Sequence, residues 1–431
     1  MSMTESGAPA RRVAVVGGGI SGMAAAHLLA TDNRVVLFEA EARLGGHART
    51  VLAGKRGDQP VDTGFIVYNR VNYPHVVALF EKLAVPVATS NMSFGASIRG
   101  GWLEYALASL DALFAQRRNI VNPAFLRMCR DILYFNKNAE DLASDTNLTI
   151  AALLDLLGTG PWFRDYYILP FSAAIWSTPS AGILDFPAQS LIRFFKNHAL
   201  MSLSGQHQWF TVRGGSIEYV RRLQAELARQ AVDVRLATPI AGIKRDAGGV
   251  FVRAVGGEWE YFDDLVMATH SDDALALLSD ATTDERSALG AVRYQSNSAV
   301  LHADANVMPK SRKCWASWVY TEPADAQADK IDLTYWMNSL QPIPKDDPMF
   351  VTLNSNTPIR QELIFDQVSF RHPVYDLAAV AAQGRVRAMN GALNTWFCGA
   401  WMKNGFHEDG FASAVDVART MQSRSKVSAA A

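Results

Sequence analysis

The sequence predicts an α/β fold with a parallel β-sheet near the start of the chain. Two runs of mostly β-branched apolar residues, 13–16 and 34–38, have the composition of buried parallel strands. Between them a glycine-rich turn leads into residues 23–30, whose alanines and leucines favour a helix. The order strand, helix, strand is typical of a doubly wound sheet.

The turn after the first strand has the spacing G-x-G-x-x-G. Gly17 permits a tight turn, Gly19 lets the backbone approach a pyrophosphate, and Gly22 lets the helix pack closely on the strand. Ile20 and Ser21 fall at the start of the helix, where free N–H groups and the positive dipole end attract phosphate oxygens. The motif therefore predicts a Rossmann-like domain that binds a dinucleotide.

A carboxylate follows the second strand. Glu39 stands where it can accept hydrogen bonds from both hydroxyls of an adenosine ribose, and Ala40 comes directly after it. The alternative interpretation is a glycine-rich turn without a ligand. The complete order of strand, glycines, helix, strand and acid favours the dinucleotide site.

Residues 43–50 and 61–65 indicate which dinucleotide is bound. They read Arg-Leu-Gly-Gly-His-Ala-Arg-Thr and Val-Asp-Thr-Gly-Phe. Here the sequence resembles the flavin-containing amine oxidase superfamily, which includes phytoene desaturases and protoporphyrinogen oxidase. In that family an R-x-G-G-R-x-x-[ST] segment wraps the phosphate and ribityl groups of FAD. The resemblance therefore implies FAD as the cofactor.

The resemblance also implies roles for single residues. Four positions match the family motif: Arg43, Gly45, Gly46 and Thr50. His47 stands where the family usually has its second arginine, and its imidazole can still donate one hydrogen bond. The second segment resembles the one that brings backbone against the flavin ring, with a surface hairpin as the alternative; it contains Thr63, Gly64 and Phe65.

The C-terminal part resembles the family's closing FAD motif, in which a glycine-rich turn starts a helix that faces the flavin. Residues 395–400 predict a short buried strand, and a helical stretch runs to about Met421. The matched positions are Gly399, Ala400, Asp409, Gly410, Phe411 and Ala414. Ala400 replaces the acid usual in the family, so Glu408 and Asp409 are candidates to compensate. Alternatively, Asp409 is an ordinary helix N-cap.

A third patch lies in the middle of the chain. Residues 217–230 predict a helix, and strands are predicted for 232–236, 240–244, 250–255 and 261–267. In the resembled family this block crosses the adenine and ribose, which implies cofactor contacts for Ile240 and for Ala268 and Thr269 at its end. The motif G-x-G-x-x-G does not recur, so we expect no separate nicotinamide-binding domain.

These patches predict two domains. The FAD-binding domain is discontinuous and comprises residues 11–70, 211–270 and 394–421. The insertions 71–210 and 271–393 are expected to form a substrate domain of helices and an antiparallel sheet. Within the first insertion, apolar spacing predicts helices over 105–115 and 125–142. Aromatic residues are enriched over 162–210, which indicates either a large core or an apolar tunnel for a long substrate.

Two side chains are candidates for catalysis. His407 lies within the flavin-proximal motif and can take up a proton near neutral pH. Tyr335, together with Trp336, is a candidate for an aromatic cage, with core packing as the alternative. The nine histidines show no ligand spacing, so we expect no metal site.

We therefore expect an FAD-dependent oxidoreductase that removes a hydride from an apolar substrate. Along most of its length the chain also resembles a bacterial subgroup of predicted FAD-binding proteins, whose genes often neighbour cyclopropane-fatty-acyl-phospholipid synthases. That resemblance and the aromatic insertion favour a desaturase or dehydrogenase acting on a fatty-acyl chain, either methyl-branched or lipid-linked. The alternatives are an amine oxidase that forms an imine and a non-catalytic lipid-binding flavoprotein.

Composition and charge exclude other classes and bear on location. Lys and Arg number 41 and Asp and Glu 42, so no net field attracts nucleic acid. The three cysteines lie far apart, which suits a reducing cytoplasm. No apolar stretch is long enough to cross a bilayer.

A peripheral membrane contact stays open as an interpretation. Basic residues punctuate an apolar helical region at Arg117, Arg118, Arg127, Arg130 and Lys137. Acids nearly balance them at Glu104, Asp111, Asp131 and Glu140. The near balance favours a solvated face over a membrane surface.

Overall fold

The computed structural model describes residues 10–143, 145, 147–176, 180–201, 206–324 and 331–430. The strands in this part of the chain are β1 (Arg12–Val16), β2 (Arg34–Phe38), β3 (Thr50–Ala53), β4 (Gln59–Asp62), β5 (Val67–Asn69), β6 (Val87–Ser90), β7 (Phe94–Ile98), β8 (Leu103–Ala106), β9 (Trp209–Val212), β10 (Asp233–Arg235), β11 (Ile240–Arg245), β12 (Val250–Ala254), β13 (Trp259–Phe262), β14 (Asp264–Met267), β15 (Arg293–His302), β16 (Trp318–Thr321), β17 (Asp332–Trp336), β18 (Phe350–Leu353), β19 (Ile364–Val374) and β20 (Thr395–Phe397).

The helices are α1 (Ile20–Leu29), α2 (Pro74–Lys82), α3 (Leu110–Leu113), α4 (Pro123–Leu142), α5 (Ile150–Leu157), α6 (Pro161–Phe163), α7 (Leu169–Trp176), α8 (Ser180–Ile183), α9 (Ala188–Asn197), α10 (Ile217–Arg229), α11 (Ser271–Leu277), α12 (Thr283–Leu289), α13 (Met337–Leu340), α14 (Leu377–Met389) and α15 (His407–Ala430). Among the helices of the described residues, none combines the length and apolar composition needed to span a bilayer.

A five-stranded sheet confirms the predicted parallel α/β core. Its order is β10-β2-β1-β14-β20, and every neighbouring pair is parallel. Its strands come from the beginning, the middle and the end of the chain. Val13 and Val15 point into one hydrophobic cluster, whereas Ala14 and Val16 point into another. Both faces of the sheet are therefore covered, which explains why its strands read as continuous apolar runs.

A seven-stranded sheet forms the second layer, in the order β19-β15-β18-β17-β16-β7-β8. All its neighbours pair antiparallel except β16 and β7, which are parallel. One large hydrophobic cluster joins this sheet to helices α4, α5, α7 and α9. The predicted combination of helices and an antiparallel sheet is present, with strands contributed by both insertions.

The predicted helix over residues 105–115 is wrong. Residues 103–106 form β8, and only Leu110–Leu113 is α-helical. Tyr105 is fully buried and pairs with Ala96 of β7, so sheet pairing overrides its helix-like apolar spacing. The predicted helix over 125–142 is confirmed as α4, whose N-cap residue Asn122 accepts hydrogen bonds from the backbone of Ala124 and Phe125.

A buried carboxylate connects three segments of the chain: the β3–β4 pair, the start of α10 and the residues after α13. Asp62, at the end of β4, accepts hydrogen bonds from the Ser216 backbone N–H (2.8 Å) and hydroxyl (2.8 Å) at the start of α10. It also accepts them from the Thr50 hydroxyl (2.6 Å) and from Nε2 of Gln341 (2.8 Å), which follows α13. Because a buried anion is costly without partners, these four donors make Asp62 a fixed joint.

Replacement of Asp62 by asparagine tests this joint. The new amide would turn N–H groups toward donors, so we expect Asp62→Asn to lower the free energy of unfolding by about 3 kcal/mol. Urea denaturation followed by circular dichroism measures the change. The control is Asp58→Asn, because Asp58 is exposed and pairs only with Arg56; there we expect a change within about 0.5 kcal/mol. Equal effects of both variants would contradict the proposed joint.

Candidate cofactor and active site

The turn after β1 leaves open space in front of a helix. Gly17 adopts a φ of +106°, which favours glycine. A Cβ atom on Gly19 would meet no atom within 4 Å, and no side chain caps α1. The N-terminal N–H groups at Ile20 and Ser21 therefore border free volume, as an anion site at a helix N-terminus requires.

Two glycines let helices approach this turn. A Cβ atom on Gly22 would lie 1.7 Å from the Gly17 carbonyl oxygen, so α1 can sit against the strand only because Gly22 has no side chain. A Cβ atom on Gly410 would lie 2.8 Å from side-chain atoms of Ile20 and Ser21. The N-terminal ends of α1 and α15 thus meet at the same place.

Glu39 is fixed beside the glycine turn. Its Oε2 accepts a hydrogen bond from the Gly18 backbone N–H (2.5 Å) and its Oε1 accepts one from Glu41 (2.8 Å). The Thr238 backbone N–H donates to the Glu39 carbonyl oxygen (2.8 Å), which brings the chain leading to Ile240 alongside. Ala40 is exposed next to Glu39. This places the predicted ribose and adenine residues together.

Arg43 organises the loop that follows. Its guanidinium donates to the carbonyl oxygens of Gly46 (2.9 Å) and Ala48 (3.3 Å), and it pairs with Glu41 (3.0 Å). Gly45 donates to the Gly18 carbonyl oxygen (2.9 Å), so the loop lies against the glycine turn. The observed contacts of Arg43 are thus with the loop itself.

The segment with Thr63, Gly64 and Phe65 is packed inside, which corrects the surface-hairpin alternative. A Cβ atom on Gly64 would lie 2.0 Å from the His47 carbonyl oxygen, and Phe65 donates to that oxygen (2.9 Å). Thr63 is buried and donates its backbone N–H to Arg49 (2.9 Å). The side chain of Arg49 pairs with Asp366 of β19 (2.5 Å), which ties this region to the second sheet.

Three histidine rings meet beside this segment. The ring centroid of His47 lies 5.9 Å from that of His270, 5.6 Å from that of His372, and 4.8 Å from the stacked Phe370 ring. Burial lowers the pKa of His270 and His372 to about 3 and lowers that of His47. The cluster is therefore uncharged at neutral pH. The sequence did not predict it, because His270 and His372 lie far apart in the chain.

His407 forms the other wall. Its ring stacks on Phe65 with centroids 3.8 Å apart, and its Nε2 lies 2.6 Å from the Tyr219 hydroxyl. Burial lowers the pKa of His407 to about 3 and raises that of Tyr219 well above its usual range. The phenol therefore keeps its proton, and it shares this hydrogen bond with a neutral imidazole.

The accessible surface that these deeply placed rings retain indicates an internal cavity. His47, His372 and His407 lie deep within the protein, yet each retains accessible surface. Nε2 of His47 is itself buried and has no hydrogen-bond partner within the described part of the chain. An interior space with an unsatisfied nitrogen, bordered by the glycine turn and its free helix end, fits an extended dinucleotide.

The acids near the start of α15 are used within the protein. Glu408 accepts hydrogen bonds from the backbone N–H groups of His75 (3.1 Å) and Val76 (3.0 Å), and so caps α2. Asp409 accepts them from Asn404 (3.2 Å) and Phe406 (3.0 Å). Asp409 is not the N-cap residue, because it lies in the first turn of α15 and accepts from N–H groups that precede the helix. Compensation for the acid missing at Ala400 stays a prediction.

The other C-terminal positions contact the core and the neighbouring turn. The Gly399 backbone N–H donates to the Ser413 hydroxyl (2.9 Å), and Ala400 opens a short 3₁₀ helix. Phe411 and Ala414 are buried in the cluster shared with α1. Thr269 accepts a hydrogen bond from the Trp401 indole (3.1 Å). Ala268 abuts Gly17, since its carbonyl oxygen would lie 3.0 Å from a Cβ there.

The predicted aromatic cage of Tyr335 and Trp336 is wrong as a pair. Successive side chains of a strand point to opposite faces. Tyr335 packs on Trp318 with centroids 5.5 Å apart, whereas Trp336 packs on Trp315 at 5.5 Å in a separate cluster. A catalytic role of Tyr335 stays a prediction.

Most of the aromatic insertion is core. Eight of the eleven aromatic residues between 162 and 210 are buried: Phe163, Tyr167, Phe171, Trp176, Phe186, Phe194, Phe195 and Trp209. The other three, Trp162, Tyr166 and Phe210, are half-buried. Local aromatic enrichment therefore reflects packing between helices and sheet.

Comparison with known proteins adds a family and a fold. A profile of flavin containing amine oxidoreductases matches residues 20–307. The CLA-producing fatty acid isomerase from P. acnes has 16% sequence identity and a TM-score of 0.68, over 95% of this chain and 98% of that one. Cyclohexylamine oxidase from Brevibacterium oxydans IH-35A has 16% identity and a TM-score of 0.66, over 96% and 100%.

Putrescine oxidase bound to putrescine is similar as well, with 14% identity and a TM-score of 0.68 over 96% of this chain and 99% of that one. At such identities the likeness to solved structures shows the fold alone. Comparison with curated proteins found no match.

Two alanine variants separate a structural glycine from a ligand-facing one. Gly22→Ala forces a Cβ against the Gly17 carbonyl, so we expect the free energy of unfolding to fall by about 3 kcal/mol. Gly19 has a φ of −72° and open space, so Gly19→Ala should fold normally. It should nevertheless weaken flavin binding at least tenfold, or by about 1.4 kcal/mol, by filling that space. Fluorescence titration with FAD would refute this if the Gly19→Ala affinity equalled that of wild type.

The neutral histidines make stability depend on pH. A histidine whose pKa is lowered in the folded chain takes up a proton on unfolding at low pH. Its contribution to the free energy of unfolding is therefore fully present above pH 6.5 and is lost as the pH falls toward about 3. We expect His372→Gln to reduce this slope by up to about 1.4 kcal/mol per pH unit. Urea unfolding at several pH values measures it, with His207→Gln, outside the cavity, as the control. An unchanged slope for His372→Gln would contradict the argument.

Proposed function

Because the family profile matches two thirds of its length, the chain belongs to the flavin containing amine oxidoreductase family and is an FAD-dependent oxidoreductase, and we propose that it removes a hydride from an apolar, fatty-acyl substrate. Bound FAD supplies the hydride acceptor. The protein then has to bind the two molecules, orient them and exclude water.

The cofactor residues predicted from the sequence are proposed to hold FAD along one line. The glycine turn and the start of α1 receive the pyrophosphate, where Gly19 leaves free volume. Glu39 has lone pairs left after its two backbone contacts and accepts from the ribose hydroxyls, with Ile240 near the adenine. His47 and His407 would border the flavin end of the bound cofactor.

A series of contacting aromatic rings, the aromatic path, leads from His407 into the helical insertion. It is the observation that supports an apolar substrate. Phe406, the residue before His407, stacks on Phe194 with ring centroids 4.8 Å apart. Phe194 in turn contacts Trp176 at 4.9 Å, and Trp176 contacts Phe186 at 4.8 Å. A substrate between this path and the flavin end would meet rings and neutral imidazoles. Such surroundings favour a hydrocarbon chain over a charged group.

His407 is proposed to orient groups rather than to serve as the general base that the sequence predicted. A pKa of about 3 makes it a weak base at neutral pH. The hydrogen bond between the Tyr219 hydroxyl and Nε2 fixes the orientation of the ring and leaves Nδ1 as its second polar atom. The proton released by the substrate is then taken by water or by a base other than His407.

An amine oxidase is the second candidate, favoured by the family and by the fold shared with amine-oxidising enzymes. An amine would need aromatic faces or a free carboxylate near the flavin end. Lys403, a cation just before the closing helix α15, pairs with Asp416 (3.7 Å). The nearby acids Glu408 and Asp409 are occupied by backbone N–H groups. These contacts make the amine reaction the weaker candidate.

Anaerobic flavin reduction distinguishes the candidates. Mixed with the oxidised holoenzyme, fatty acids and acyl esters should bleach the flavin absorption band, whereas putrescine and cyclohexylamine should not. Tyr219→Phe should slow bleaching about tenfold, because His407 loses its hydrogen-bond partner. Tyr261→Phe is the control, since Tyr261 of β13 donates to the Gly248 carbonyl oxygen in the turn between β11 and β12. Bleaching by amines alone would overturn the acyl proposal, and a cofactor that nothing reduces would indicate a non-catalytic flavoprotein.

A further inference from the structure

Apolar side chains gather on the outer surface of the segment 107–134. Leu110 is 76% exposed on α3 and Val121 is 81% exposed on the adjoining 3₁₀ turn Arg117–Val121. We call this surface the exposed edge, and its apolar members are Leu107, Leu110, Ile120, Val121, Leu126, Leu133 and Tyr134. Large apolar groups clustered on one surface mark an interaction site.

Helix caps and buried side chains on its inner side hold the exposed edge in place. Ser109 and Asn122 cap α3 and α4 through hydrogen bonds to the backbone. Ala112, Phe125 and Met128 are buried beneath. The opposite side of α4, where a solvated helix would carry polar residues, instead presents Leu126, Leu133 and Tyr134 between cations. The apolar exposure is therefore a property of a well-packed element.

The exposed edge carries a positive net charge, because its exposed cations outnumber its acids in the structure. Glu104 and Asp131, which balance the basic residues in the sequence, are buried and accept hydrogen bonds from backbone N–H groups. Asp131 also pairs with Arg130 (2.9 Å) and Arg127 (3.7 Å), so it offsets part of their charge. Glu140 pairs with Lys196 at the far end of α4. Asp111 stays exposed and is shared by two cations. The exposed cations are Arg117, Arg118, Arg127, Arg130, Arg312 and Lys313.

Aromatic side chains border the same surface. Trp102 is partly exposed and packs on Trp162 and Tyr166 with ring centroids 5.4 Å and 5.7 Å away. The Arg118 guanidinium donates to the Trp102 carbonyl oxygen, which joins this group to the exposed edge. Indole and phenol rings at the border of an apolar patch suit the interface between hydrocarbon and water.

We propose that the exposed edge docks on the surface of an anionic lipid bilayer. The apolar tips of Leu110 and Val121 enter the boundary between headgroups and acyl chains, and the surrounding cations meet lipid phosphates. The long arginine side chains extend from the level of the inserted apolar residues, so their guanidinium groups reach the lipid headgroups. Apolar groups interspersed with cations on one face complement a lipid surface, whose charge lies directly above hydrocarbon. This inference does not depend on the proposed substrate.

Vesicle flotation of the full-length holoenzyme tests the proposal. Wild type should float with phosphatidylcholine vesicles that contain about 30% phosphatidylglycerol, and binding should weaken in about 0.5 M NaCl because salt screens the cations. The variant Leu110→Ser/Val121→Ser should bind at least tenfold more weakly. Because both side chains are exposed, its melting temperature should match that of wild type.

The matched control is Leu52→Ser/Val255→Ser, which removes two apolar side chains outside the exposed edge, each 65% exposed. It should float like wild type. The proposal is overturned if wild type stays at the bottom with anionic vesicles, or if the control loses as much binding as the edge variant. If wild type forms a dimer without vesicles and Leu110→Ser/Val121→Ser is monomeric, the exposed edge is a protein interface. That result would also overturn the proposal.

Discussion

The buried carboxylate of Asp62 is the constraint that holds three separate segments of the chain together. Its four donors come from β3, from the start of α10, and from the residues after α13 in the second insertion. A buried anion cannot lose one of these donors cheaply, so the three segments are held in one arrangement. The cavity lies beside this joint, since Thr63 and Gly64 follow Asp62 directly and pack against Arg49 and His47.

The cavity is built from groups that burial keeps neutral. His47, His270, His372 and His407 all have lowered pKa values for the same physical reason, because a low-dielectric surrounding disfavours the charged imidazole. Neutral rings can donate and accept hydrogen bonds without imposing a charge on the flavin end. This combination suits hydride removal from an uncharged chain, and it moves the role of His407 from proton acceptor to orienting group. The exposed edge, with its own charge pattern, belongs to a different part of the molecule.

Local sequence predicted the elements that depend on local chemistry. The strands around Val13 and Val35 and the helix α4 form where their composition and caps predict them. The prediction failed where tertiary contacts compete: Tyr105 has helix-like spacing but pairs in a sheet, and Tyr335 and Trp336 are neighbours in sequence but lie on opposite faces. The near balance of charges around α4 in the sequence does not describe the surface of the folded protein, because Glu104 and Asp131 are buried.

The sequence by itself determined the α/β core and a dinucleotide site, because a glycine turn between two buried strands carries its geometry in consecutive residues. The resemblance of residues 43–50 and 61–65 added the FAD family, which the family profile supports. Only the tertiary structure decided which distant residues share the cavity. His47, His270 and His372 belong to three separate segments, and nothing in their spacing brings them together. Contacts of this kind follow from the packing of one sheet against the other, and short-range periodicity carries no information about it.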